Sequence, residues 1–172
     1  MATIFCSMKL SALIGKSRLI NLQKPVAADP LNQWNAHLFT IQRKKCIIVT
    51  NKATLYSFVR FNIIKKELAD LTEFFFRSFL AQLKADHLDQ ENNLGWWPGT
   101  FTDCKLYPTD NDRKVIGSIN DFIFQLKVAV DHDINGLGNP TDTTAGTLLN
   151  NTLMSLIHYK NPLQQIKTTY KQ

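Results

Sequence analysis

Between Trp34 and Phe61 the chain alternates, breaks and alternates again, and this stretch constrains the fold more than any other. In Ala36 to Gln42, His37, Phe39 and Ile41 point one way and Ala36, Leu38 and Thr40 the other, as along a strand. Arg43-Lys44-Lys45 is a polar break of hairpin length. Cys46-Ile47-Ile48-Val49 is apolar on both faces, the mark of a strand covered on both sides. Asn51-Lys52 supplies a second tight turn, since Asn tolerates positive φ. Thr54 to Phe61 is again β-branched and aromatic. The expectation is a three-stranded antiparallel meander.

Such a sheet must bury its apolar face against another layer. From Lys65 to about His87 the period lengthens: Leu68, Leu71, Phe75, Phe79 and Leu83 fall on one side of a helix. A second helix is expected after Thr109, its N-cap, with Asp112 as capping-box partner and Val115, Ile119, Phe122, Leu126 and Val130 as its stripe. A third covers Thr147 to Ile157. Thr3 to Met8 reads as a first strand followed by a helical turn, and Phe101 to Tyr107 as a short strand. The fold class expected is α+β, an antiparallel meander packed against two or three helices, with residues 1–172 as a single domain.

No run approaches ~20 apolar residues, so no membrane span is expected. Lys9 interrupts the N-terminal apolar run and no basic segment precedes it, which argues against a signal peptide. Cys6, Cys46 and Cys104 are odd in number and widely spaced, which suits free thiols in a reducing, cytoplasmic setting. No phosphate-binding glycine loop, nucleophile elbow or metal-ligand spacing is present, and no cofactor is expected. Asp131-His132-Asp133 reads as a solvated helix end, because helical neighbours cannot easily share one ion.

Three surfaces are candidates for function. The first is basic: Arg43, Lys44 and Lys45 at a hairpin tip and Arg60, Lys65 and Lys66 after the third strand fall at one end of a meander. They suit phosphate contacts, against the plainer reading of a solvated tip; the net charge of +6 agrees with either. The second is polar: His37, Arg113, Ser118, Asn120 and Asp121 would form a pocket if they converge, while Asn120 alone is expected to hydrogen-bond buried backbone. Arg113 and Lys114 at the helix start would favour an anion that Asp110 and Asp112 oppose. The third is aromatic: Trp96 and Trp97 in a Gly/Pro loop suit a partner contact or the core edge equally. Phe74, Phe124 and Val128 lie off the helix stripes, as a second core layer or a subunit interface. The leading reading is a non-catalytic binding or regulatory module for nucleic acid or another protein. The alternatives are an enzyme built on the polar pocket and a homo-oligomer.

Several stretches carry a family resemblance: Phe5 to Leu10, Trp34 to Phe39, Arg43 to Asn51, Thr54 to Ser57, Arg113 to Asp121 and Leu149 to Ser155. With these the chain resembles, nearly end to end, a family of small bacterial proteins described as a domain of unknown function. The resemblance implies no activity, cofactor or site residue. Gly95-Trp96-Trp97-Pro98 is not part of it.

Overall fold

The computed structural model describes residues 1–20, 29–89 and 103–169, so the Trp96–Trp97 loop lies outside the described residues. Five strands form one sheet: β1 (Ala2–Cys6), β2 (Gln33–Ile41), β3 (Lys44–Asn51), β4 (Ser57–Arg60) and β5 (Cys104–Pro108). Their order is β4-β3-β2-β1-β5. The expected meander is present as β2-β3-β4, paired antiparallel through Phe39↔Cys46 and Ile48↔Val59. The expectation of a purely antiparallel sheet is corrected: β1 pairs parallel with both β2 and β5, so the sheet is mixed. β5 coincides with the strand expected over Phe101 to Tyr107 from Cys104 onward and ends one residue later, at Pro108; residues 101–102 lie outside the described residues.

The first hairpin turn is tighter than expected. Ile41 pairs with Lys44, leaving only Gln42 and Arg43 in the turn, both left-handed at φ 47° and 65°. That conformation matches the strand twist but is usually given to Asn or Gly. Lys44 and Lys45 accordingly belong to β3. The last strand of the meander is shorter than expected because Leu55 is left-handed at φ 58°.

Five helices cover the sheet among the described residues: α1 (Met8–Ile14), α2 (Leu71–Ala85), α3 (Arg113–Asp131), α4 (Asp142–Asn150) and α5 (Pro162–Thr169). They form a layer on each face, as the apolar run Cys46 to Val49 required of a strand covered on both sides. Leu10 of α1, Phe75, Phe79 and Leu83 of α2 and Ile166 of α5 pack with Ile4, Trp34, Ile47 and Phe58. Trp34 meets Phe79 edge-on at 5.4 Å. Val115, Ile119, Phe122 and Leu126 of α3 and Ala145 and Leu149 of α4 pack with Phe39, Cys46, Ile48 and Val59 on the other face. The alternation of β2 and β3 divides between these two cores, each fully buried large side chain contributing roughly 1.5–3 kcal/mol.

Local starts and stops shift in ways that side chains explain. The long helix from Lys65 divides into a 3-10 turn, Lys65–Leu68, and α2, because Asp70 caps Glu73 N and restarts the helix. α3 is capped by Asp112, which accepts from Lys114 N and Val115 N, and Thr109 stays outside. α4 begins earlier than expected, at Asp142, because Thr141 and Thr144 cap each other. Phe74 joins the core at the α2 face, whereas Phe124 is 68% exposed on α3. No helix among the described residues is long and apolar enough to cross a membrane.

At the β4 edge the two layers meet through a buried polar hub. Asp86, just past α2, accepts from Tyr56 Oη at 2.7 Å, Gln82 Nε2 at 3.0 Å, Asn150 Nδ2 at 2.9 Å and Thr147 Oγ1 at 2.6 Å. Asn150 also clamps the backbone of Ser57, accepting from its N–H and donating to its carbonyl. Burial and the adjacent Asp86 push the Tyr56 phenol well above its ordinary pKa. α4 can approach this closely because residue 146 is glycine: a Cβ there would lie 1.9 Å from Gln82 Oε1.

Candidate functional site

β1 stops opposite Ala36, but β2 runs five residues further, to Ile41. Beyond the end of β1 the rim of the sheet is therefore notched. Ser7 finishes the notch: its N–H donates to Ala36 O at 2.9 Å, and its Oγ accepts from Leu10 N and Leu38 N, both at 3.4 Å. Strand alternation turns the Leu38 carbonyl and the Thr40 backbone toward the same gap, where no strand among the described residues receives them.

The gap is a crevice of about 510 Å³. Met8 and Lys9 of α1 form one wall, and Asn120, Ile123 and Lys127 of α3 the other. β2 and β3 supply the floor through His37, Leu38, Phe39, Thr40 and Lys45. In mixed and parallel sheets ligands commonly lodge at the carboxyl ends of parallel strands, where neighbouring connections leave toward opposite faces. That condition holds here: β1 leads into α1 on one face, and its parallel neighbour β5 leads into α3 on the other.

The crevice is cationic. Lys9, Lys45 and Lys127 line it with no carboxyl residue among the lining, and none of the three forms an ion pair among the described residues. His37 and Asn120 likewise make no side-chain hydrogen bond among the described residues. Burial lowers the His37 pKa, opposed by the charge of Asp110, and so favours the neutral imidazole. One pleat back on the same face of β2, Asn35 is 1% exposed and neither of its amide atoms has a partner among the described residues.

The candidate residues divide clearly. His37 and Asn120 meet in the crevice; Asn120 is exposed there and its side chain bonds no buried backbone among the described residues, a correction to expectation. Ser118 is a buried residue of α3, its hydroxyl donating one turn back to Lys114 O at 3.2 Å, and Arg113 and Asp121 are exposed outside the crevice. The five-residue polar pocket therefore does not assemble. The helix start is occupied from within: Asp112 caps it, and Lys52 bridges Asp110 and Asp112 at 2.5 and 3.2 Å.

Of the basic set, Arg43, Lys44, Lys45, Lys65 and Lys66 are exposed, and Ile63 N donates to Lys45 O, which brings the 3-10 turn to the hairpin end. Arg60 leaves the set, being paired with Glu67 at 2.8 Å and Asp142 at 3.0 Å and stacked on Phe74. Ser7, Lys9 and Lys127 join the site from outside the candidate set. The sequence marks them only as polar residues beside apolar runs, which says nothing of the strand they will face. Burial pushes the Cys6 and Cys104 thiols up to about 12, and Cys46 is raised for the same first reason.

These features define an α+β protein with a mixed five-stranded sheet, helices on both faces and a cationic crevice at a strand end. The chain belongs to the family described as a domain of unknown function (DUF6933), whose sequence model matches residues 3–165 of 172. No curated protein and no solved structure matches it.

Proposed function

We propose that the chain is a binding module for nucleic acid, gripping phosphates with the end of its sheet that carries the first hairpin. The observation that carries this reading is the set of exposed cations there. Arg43, Lys44, Lys45, Lys65 and Lys66 stand without ion-pair partners among the described residues, and Lys9 and Lys127 continue the set across the crevice. Lysines used only for solubility have no reason to line a concave wall; phosphate contacts give them one. The neighbouring Arg60, held by Glu67 and Asp142, acts as an internal brace.

The test is retention of the purified chain on immobilised single-stranded and duplex nucleic acid across a salt gradient. Elution above physiological salt is expected. Replacing Arg43, Lys44 and Lys45 together by Glu should move elution well below it. The same change should flatten the salt dependence by about one unit of slope for each phosphate no longer neutralised. Unchanged retention of the triple variant overturns the assignment. Flow-through of the unaltered chain at low salt overturns nucleic acid as the partner.

A further inference from the structure

The crevice has two chemical characters, and few ligands suit both. Met8, Leu38, Phe39 and Ile123 give it apolar surface, while Lys9, Lys45 and Lys127 set three positive charges around it. Between them stand His37 and Asn120, neither side chain committed to an intramolecular hydrogen bond among the described residues. A neutral imidazole offers one donor and one acceptor, and a carboxamide offers both. A pair of such groups complements a flat edge of alternating donors and acceptors. We propose that the crevice is a nucleotide pocket: the base lies against Leu38, Phe39 and Ile123, Asn120 and His37 read its edge, and the lysines hold the phosphate.

Three features favour this over simpler occupants. Inorganic phosphate would use the lysines but leave the apolar wall and the Asn120 amide idle. An apolar acid would use the wall and the lysines but leave His37 and Asn120 unpaired against it, which is unfavourable. The volume of about 510 Å³ lies within the range of small-molecule pockets and suits one nucleotide. Unpaired bases are commonly held by this combination of packing surface, edge-reading side chains and backbone cations. The Leu38 carbonyl and Thr40 backbone on the floor, unpaired by any strand among the described residues, add further donors and acceptors for a base edge. Met8, at 81% exposed, has the flexible thioether of a side chain that can fold over a ligand.

The nucleotide has two sources, free in solution or one unit of a bound strand. The proposal rests on the nucleic-acid reading only for the second. The experiment titrates the full chain by calorimetry with each of the four ribonucleoside 5′-monophosphates, with inorganic phosphate at equal ionic strength, and with a single strand of roughly 12 nucleotides. At least one monophosphate should bind about tenfold or more tightly than phosphate. Asn120→Ala should weaken that nucleotide about tenfold, and Lys9→Ala with Lys127→Ala should weaken both nucleotide and phosphate. All these positions are exposed, so thermal unfolding should be unchanged and serves as the control for folding. If the monophosphate displaces the strand, the pocket holds a unit of that strand. If both bind without competing, the source is free nucleotide. Strand binding with no measurable monophosphate binding overturns the pocket and leaves the basic end standing. Monophosphate binding with no strand binding does the reverse. Nucleotide affinity unchanged in Asn120→Ala and in the double lysine variant overturns the placement.

Discussion

Polar side chains gather at two places in this molecule, the Asp86 hub at the β4 edge and the crevice at the end of β1, and they are used in opposite ways. At the hub each donor aimed at Asp86 finds a carboxyl oxygen, and Asn150 satisfies both backbone groups of Ser57. In the crevice His37, Asn120 and three lysines face a concave space with no partner of their own among the described residues. A closed network fixes one arrangement and has nothing left to offer a ligand. An open set contributes little to stability and retains its capacity for binding. The contrast separates polar residues that hold the fold from those available for recognition, and it is more informative than burial alone.

The sharpest way to break the contrast is Asp86→Ala. It strands the donors of Tyr56, Gln82, Thr147 and Asn150 in a buried site, and a loss of about 3 kcal/mol or more is expected in denaturant unfolding. A loss below about 1 kcal/mol would mean that the hub is incidental. Gly146→Ala comes next. Its Cβ must displace the Gln82 amide from the same network, for about 1–3 kcal/mol, measured by the same unfolding curves. Joined to Gln82→Ala, which clears the space, the glycine substitution should cost markedly less than alone.

At the other region the sign changes. Replacing Gln42-Arg43 by Asn-Gly relieves two left-handed positions and should stabilise the chain by about 1 kcal/mol while weakening nucleic-acid retention. Stabilisation with retention unchanged would detach Arg43 from the binding surface. The smallest effect belongs to His37. Its folded pKa lies below 6.5, so the unfolded chain takes up the proton first. Stability present above about pH 6.5 should decline as pH falls from that value toward the lower folded one, and His37→Gln should remove this part of the pH dependence.

What the sequence made legible was local. The β2-β3-β4 meander follows from alternation and turn residues within one short stretch, and the α2 and α3 stripes from helical period. The parallel pairing of β1 was not legible, because Thr3↔Gln33 and Phe5↔Tyr107 join segments whose separation no periodicity encodes. The crevice was hidden for the same reason, since it exists only where β1 ends short of β2. His37 and Asn120 stand out by their chemistry, and Arg113, Ser118 and Asp121 fail to join them because helical geometry turns them elsewhere. Lys9 and Lys127 escape notice because a lysine beside an apolar run normally signals only a wet face. Asp86, Gln82 and Asn150 pass as ordinary surface residues, since their convergence depends on how α2 and α4 dock.

The short β1 has one more consequence. The walls of the notch belong to different cores: α1 packs with Trp34 and Ile47, and α3 with Phe39 and Ile48. A molecule lodged between them acts as a rivet through the rim of the sheet, fastening one layer to the other. Occupancy would then be felt on both sides at once, as slower amide exchange in two helices that share no core. A longer first strand would fill the gap with its own backbone, and the protein would gain a stiffer edge at the expense of this opening.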